Sequence, residues 1–503
     1  DQGEVQAFLA AAMASKGAVE EIVTHISHLF IGPAVAWKLK RAVHLPYADF
    51  STPEKRLAFC EREVTLNRRT APDHYLGLRR ITRQAGGLAF DGTGPLVDAV
   101  VEMRRFDQDM LLDRLATRGA LTAPLMEQLA FTISRLHDAC PPDRRPGFGR
   151  VAEVLAVNEA ALAQTRVFGQ DEIAAFNAAF RTAAGTHRRL LDARGLEGRV
   201  RRAHGDLHLR NIFLEDGAPV LFDCIEFNDT LATVDLLYDL GFLLMDLVHR
   251  GLPAFANLVM NRYLDITGDE SGLPLVPFFM ALRAAVRAHV TATQIGTSGD
   301  PSGKLAGEAR AYFDLADALL EEGPPRMIAI GGLSGSGKTT LADALAPHLG
   351  APPGARVVES DRVRKALHGV PAETRLPDEA YRPEVSQRVY REIASRCDRL
   401  LAAGACVVAD AVFDRPEDRE RIEAVALARG MPFTGIWLEA DAGVLRKRVR
   451  ERTGGSSDAT LDVLERQLER GTGDIAWRRL DAGRGTGRIV SDILALEKTG
   501  GAE

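Results

Sequence analysis

Phosphoryl transfer needs a cradle for phosphate, a base for the attacking hydroxyl and oxygen ligands for Mg2+, and two separated stretches of this 503-residue chain supply those residue types. In the C-terminal part, Gly332-Leu333-Ser334-Gly335-Ser336-Gly337-Lys338-Thr339 has the spacing GxxxxGK[ST], directly after a predicted strand and before a predicted helix. Glycines so spaced let backbone N–H groups face one anion, and the helix N-terminus adds partial positive charge. Lys338 can then reach the β/γ-phosphates and the Thr339 hydroxyl can ligate Mg2+, with Thr340 completing the predicted nucleotide-binding set. In the N-terminal part, His204-Gly205-Asp206-Leu207-His208-Leu209-Arg210-Asn211 precedes a predicted hairpin that ends in Leu221-Phe222-Asp223. An Asp and an Asn five residues apart, with a second Asp across a hairpin, can place one base and two Mg2+ ligands around a triphosphate.

More charged groups follow the phosphate loop. Asp361 stands at the C-terminal end of a predicted strand, and Arg364 one helical turn on. The carboxylate can take a proton from an attacking hydroxyl while Arg364 holds an acceptor oxygen or phosphate; the plainer alternatives are a capping Asp361 and a solvated Arg364. Asp410 ends another predicted strand and can hold a Mg2+ water or an acceptor group. Arg448 and Arg452 are i and i+4, so they share one helix face and can clamp a transferring phosphoryl group as part of a closing lid.

These groups need rigid supports. Residues 22–31 and 34–40 predict two strands joined by Gly32-Pro33; helical periodicity dominates from beyond Phe106 to about Leu320, apart from a strand pair near 212–222. Glu321-Glu-Gly-Pro-Pro-Arg326 marks a seam, since two prolines without N–H groups end the helical pattern. Beyond it, strands at 327–331, 355–359, 405–410 and 433–438 alternate with helices such as 338–347 and 416–429, the pattern of a parallel sheet with crossover helices. The expected architecture is therefore an α+β bilobal domain over 1–322, with a small lobe at about 1–106 and a helical lobe at about 107–322. An α/β P-loop domain with a parallel sheet follows over 323–503.

At these motifs the first region resembles the aminoglycoside phosphotransferase and choline kinase group, relatives of the protein kinases. The resemblance implies that Asp206 is the base and that Asn211 and Asp223 bind Mg2+. Val35-Ala36-Trp37-Lys38 has the form of the kinase strand whose lysine contacts the α/β-phosphates, with Lys40 in reserve on the same strand face. The pattern's register favours Glu63 over Glu61 as the carboxylate that holds that lysine. No GxGxxG precedes Lys38, so another segment, around His25-Ile26-Ser27-His28, must cover the phosphates. Residues 327 to about 475 resemble small P-loop kinases, namely gluconate and shikimate kinases, zeta-toxin-like kinases and polynucleotide kinases. The spacing Asp361-x-x-Arg364 looks most like the last two, in which the Asp is the general base. Together the halves resemble bacterial proteins labelled bifunctional aminoglycoside phosphotransferase/ATP-binding protein.

Composition narrows the function classes. With 46% apolar, 26% charged and 6% aromatic residues and a net charge of −6, the chain reads as ordinary globular protein without a broad nucleic-acid footprint. Five cysteines without a CxxC argue against structural zinc and point to a reducing, cytoplasmic setting. The most apolar stretch, 231–248, is interrupted by Asp235, Asp239 and Asp246, so no membrane partner is expected. Only nine of the 63 basic residues are lysine, which draws attention to those at motif positions. The expectation is an ATP- and Mg2+-dependent kinase with two nucleotide sites, acting on a hydroxyl of a small molecule. A 5′-hydroxyl polynucleotide kinase in the P-loop half, or a regulatory ATP-binding module, is the alternative.

Overall fold

The computed structural model describes residues 2–45, 48–298, 300–321, 323–451 and 455–499. They pack into two compact units, residues 1–157 with 184–246, and residues 158–183 with 247–503. The sequence seam at 322–323 falls inside the second unit.

In the first unit a six-stranded antiparallel sheet runs in the order Glu20–Val23, Ser27–Ile31, Val35–Lys40, Leu96–Arg104, Tyr75–Gln84, Gly87–Phe90. The single strand expected over 22–31 is two: Thr24 N donates to Ser27 O and Ser27 N to Thr24 Oγ1, closing a tight hairpin. One sheet face packs Phe30, Trp37, Leu39, Ile81 and Val100 against Val5, Leu9 and Met13 of the helix Gly3–Ala14. The helix Pro53–Asn67, begun by the Thr52 cap and a proline in its first turn, covers the other face through Cys60 and Val64. A buried bidentate pair, Arg56 to Asp98 at 2.8 Å on both arms, ties that helix to the sheet. Below it lie the helix Ala123–Ala139, the hairpin Ile212–Glu215/Ala218–Leu221 and the start of the helix Leu236–His249.

In the second unit a five-stranded parallel sheet has the order Arg356–Glu359, Val407–Asp410, Met327–Gly331, Phe433–Glu439, Arg478–Asp481. Its inner strands are almost continuously apolar because both faces are covered. The fifth strand, Arg478–Asp481, has no alternating signal and is absent from the sequence expectation. One described helical segment, Glu270–Ile295, is long and apolar enough to cross a membrane by length and composition. It is not the 231–248 stretch that the sequence singles out, and most of it is buried within the protein, as a core helix is. All five cysteines are free and buried.

Candidate functional sites

The first candidate site grows from three segments of the first unit. Residues two apart on a strand share a face, so Lys38 and Lys40 point the same way, toward Glu63 on the helix Pro53–Asn67. Lys38 Nζ donates to Glu63 Oε1 at 2.8 Å and Lys40 Nζ to Glu63 Oε2 at 2.6 Å. Lys38 also pairs with Asp223, and Lys40 with Glu226. Burial alone would raise the Glu63 carboxyl, but the two lysines overcome it and hold the group at about 2. Burial likewise works against the Lys38 ammonium, yet Asp223 and Glu63 keep it well above its ordinary range. Asp223 takes a left-handed backbone with φ of 60°, steadied by Tyr75 Oη, which accepts from its N–H at 3.2 Å. Next to it Cys224 N donates to Asn67 Oδ1 at 2.9 Å, so the helix that carries Glu63 also fixes the Asp223 corner.

The loop of Asp206 is held from beneath. Asp239 accepts from Gly205 N at 2.8 Å, His204 N at 3.1 Å and His137 Nε2 at 3.0 Å, and Asp246 accepts from Leu209 N at 3.0 Å. Asp235 forms a buried bidentate pair with Arg194. Asp239 and Asp246 brace the loop, and Asp206 keeps 40% of its side chain exposed with His208 Nε2 at 3.3 Å. Asn211 Nδ2 donates to Asp206 Oδ2 at 2.9 Å and to Asp206 O at 3.0 Å. Asn211 itself is buried, with both of these bonds made by its amide nitrogen. His25 is at the tip of the Glu20–Ile31 hairpin, and desolvation, opposed by the field of Asp206, lowers its imidazole pKa.

The second candidate site lies at the carboxyl ends of the parallel strands. Gly332, Gly335 and Gly337 have φ of 143°, 86° and 93°. A Cβ at Gly332 would meet Ser336 Oγ and Leu438 O at 2.7 Å, and one at Gly335 would meet Leu445 O at 2.9 Å, so a side chain would break the loop. Lys338 Nζ lies across the loop, donating to Leu333 O at 3.3 Å. Ser334 N donates to Gln467 Oε1 at 2.9 Å, while Ser336 Oγ is buried without a hydrogen-bond partner. Thr339 Oγ1 donates to Asp410 Oδ2 at 2.6 Å, bringing the predicted hydroxyl and carboxylate together. Burial raises Asp410 to about 6, even with Lys338 and Thr339 pulling it down. Beside it in sheet register is Glu359, which burial and Asp410 raise to about 7. Arg362 Nε donates to Glu359 Oε2 at 3.0 Å, and the Ser456 hydroxyl bonds its other oxygen.

Glu359 escaped the sequence reading, although its place two residues before Asp361 at a strand end was a usable signal. Asp361 sits in the first turn of the helix Ser360–Leu367, where its carboxylate acts on Glu359 and Asp410. Arg364 is turned inward: Nη1 donates to Ala380 O at 2.7 Å, the guanidinium lies 4.6 Å from the Tyr381 ring centre, and Nε is a buried donor without a partner. Neither a solvated face nor an open clamp describes it. Arg448 Nη2 donates to Ala482 O at 3.3 Å and lines a cavity of about 240 Å3 with Ser336, Gly337, Thr340, Leu438 and Thr486. Arg452 lies outside the described residues.

Hydroxyl, amide and carboxylate oxygens are the donors at both sites, a set that suits Mg2+. Among the described residues no three His, Cys, Asp or Glu side chains form a metal cluster.

Comparison with known proteins places family regions on this geometry. Residues 106–275 match the phosphotransferase enzyme family (APH) and residues 327–472 match the AAA domain model AAA_33, so the chain joins a kinase-like phosphotransferase region to a P-loop kinase region. It is 29% identical to the uncharacterized protein Rv2004c of Mycobacterium tuberculosis over 450 residues, covering 88% of this chain and 87% of that protein. Among solved structures, a choline/ethanolamine kinase family protein from Mesorhizobium loti aligns over 63% of this chain and 94% of its own, at 16% identity and a TM-score of 0.39. A gluconokinase from Sinorhizobium meliloti 1021 aligns over 34% of this chain and 90% of its own, at 25% identity and a TM-score of 0.24.

Proposed function

We propose that the chain is an ATP- and Mg2+-dependent phosphotransferase with one nucleotide site in the region 1–322 and another in 323–503, each passing the γ-phosphoryl group to a hydroxyl of a small molecule. The observation that carries this reading is that each site gathers, from segments far apart in sequence, a phosphate-reaching lysine and carboxylates fit for a base and a metal ligand.

In the first site Lys38 holds the α/β-phosphates, Asp223 and Asn211 Oδ1 supply the Mg2+ ligands, and Asp206 takes the proton of the acceptor hydroxyl. In the second, the amides of 332–339 and Lys338 cradle the phosphates, Thr339 and Asp410 face Mg2+, and Asp361 is the base. The cavity beside Arg448 adjoins Ser336, Gly337 and Thr340 of the phosphate loop. At either site the acceptor oxygen bonds to the γ-phosphorus, the β–γ bridge breaks and ADP leaves. Mg2+ would contribute charge neutralisation on the phosphate oxygens. A cytoplasmic compartment fits five free thiols.

The test incubates wild type, Asp206→Asn and Asp361→Asn with γ-labelled ATP, Mg2+, a panel of small alcohols and a 5′-hydroxyl RNA oligonucleotide. Label reaching a small alcohol, and lost with one or the other variant, is the expected result. Label reaching RNA and lost only with Asp361→Asn makes the second site a polynucleotide kinase. Transfer unchanged in both variants overturns the assignment.

A further inference from the structure

The ion pair between a strand lysine and a helix carboxylate accounts for Lys38 and Glu63, yet the structure places a second lysine and a further glutamate behind them. One end of this cluster is exposed and the other is closed. The Asp223 side chain is 39% exposed and Lys38 10%, whereas Glu63 and Lys40 are at 0% and Glu226 at 4%. Glu63 is the shared member, with one carboxylate oxygen given to each lysine. The open end is thus Asp223 and Lys38, and the closed end is Lys40 and Glu226, with the Phe50 ring 5.3 Å from the Lys40 ammonium.

We infer that Lys40 and Glu226 are positioning residues that keep Glu63 anchored while Lys38 exchanges its partners on nucleotide binding. The inference rests on the reading of the first site as a Mg·ATP site. Phosphates arriving at the open end compete with Asp223 for the Lys38 ammonium, and an Asp223 turned toward Mg2+ gives that contact up. A fully buried carboxylate with a single, moving partner would follow the lysine or take up a proton. Lys40, at 2.6 Å from the other Glu63 oxygen and out of reach of solvent, denies it both courses. Glu226 in turn balances Lys40, so that neither lysine is drawn onto Glu63 alone. Lys40 touches no substrate in this scheme and acts through Glu63.

The experiment uses the full chain in a Lys338→Met background, which silences the P-loop site, and measures Mg·ATP and adenosine binding by calorimetry beside thermal melting. Lys38→Met is the control for the underlying reading: if Mg·ATP still binds as in the background, the first site is not a nucleotide site and the reading itself fails. With that control passed, Lys40→Met/Glu226→Gln, which removes both charges together, is expected to melt close to the background. It should bind Mg·ATP at least tenfold more weakly, while adenosine affinity stays within twofold. Lys40→Arg, which keeps the charge, should restore Mg·ATP affinity to within about threefold of the background. Mg·ATP binding equal to the background in the double variant, or an equal loss of adenosine binding, overturns the inference. If the double variant does not fold, Glu226→Gln alone decides: releasing Lys40 onto Glu63 should weaken Mg·ATP about threefold, and an unchanged affinity overturns the inference.

Discussion

Two buried glutamates, Glu63 in the first candidate site and Glu359 in the second, are held in opposite electrostatic states. In the first, Glu63 lies between two lysines and is kept ionised although fully buried. In the second, Glu359, Asp361 and Asp410 crowd together at neighbouring strand ends, and burial with mutual repulsion raises Glu359 and Asp410. The means of holding phosphate differ in the same way. The first site offers side chains from three segments, whereas the second offers a backbone nest whose shape depends on glycine φ angles. A site built from paired side chains has its charges balanced within the protein, while a clustered acidic site beside a nest is completed by what binds it.

The largest effects that would sharpen this contrast are kinetic. Asp206→Asn and Asp361→Asn should each lower transfer by about 10^2- to 10^4-fold in their own half, read as initial rates with labelled ATP. A single variant that silences both halves would break the separation of the sites.

Next comes the support of the second sheet. Arg356, 1% exposed, is bound by Asn261, by Asp265 at 2.6 Å and by Glu270 at 2.9 Å, and Asn261 Oδ1 also accepts from Val357 N on the edge strand. Arg356→Met takes the nearest cation from two carboxylates, leaving Asp265 with Arg262 and Arg362 and Glu270 with Arg396 at longer range, and should cost about 3 kcal/mol, measured by urea unfolding of the full chain. An unchanged midpoint would mean that the helix Pro253–Thr267 is not part of the second unit's stability.

A smaller loss is expected at the nest. Gly335→Ala forces a side chain onto a φ of 86°, a strain of about 1–3 kcal/mol. It should remove one of two Mg·ATP sites in calorimetry, whereas the first site, which does not use this loop, keeps its binding.

The smallest effect is the pH response, which should differ in sign between the halves. Glu63 is held below its ordinary 4.5, at about 2, so its stabilisation is complete above pH 4.5 and is lost as pH falls toward 2. Glu359 is raised from 4.5 to about 7, so the native state binds its proton more tightly than the unfolded chain does. Its stabilisation is complete below pH 4.5 and is lost as pH rises through 7. Thermal melts from pH 5 to 8 should show a falling trend that Glu359→Gln flattens; an equal slope in the variant would count against a buried, raised Glu359.

Much of this was legible in the residues. The phosphate loop, the Asp206–Asn211 spacing and Lys38 all depend on short-range patterns that constrain the backbone locally, so their elements stand where the sequence predicts them. The bend at Thr24–Ser27 was hidden because no Gly or Pro marks it: the turn is made by a backbone and hydroxyl exchange. The strand Arg478–Asp481 was hidden because its residues are mostly polar and pair only at one sheet edge. The helix Pro253–Thr267, placed by sequence with the N-terminal half, packs with the P-loop sheet because Asn257 and Asn261 satisfy edge-strand backbone that no local pattern reveals.

The sequence by itself determined which atoms are available: the glycines, lysines and carboxylates of two phosphate-handling motifs, and the strand and helix periods that carry them. Only the tertiary structure decided their electrical state and their partners. It set Lys40 and Glu226 behind Lys38, turned Arg364 into the interior and put Glu359 beside Asp410. The reason is physical: hydrogen-bond spacing and periodicity act over a few residues, whereas burial, ion pairing and repulsion act between segments well apart in the chain, from the 16 residues between Arg364 and Ala380 to the 186 between Lys40 and Glu226.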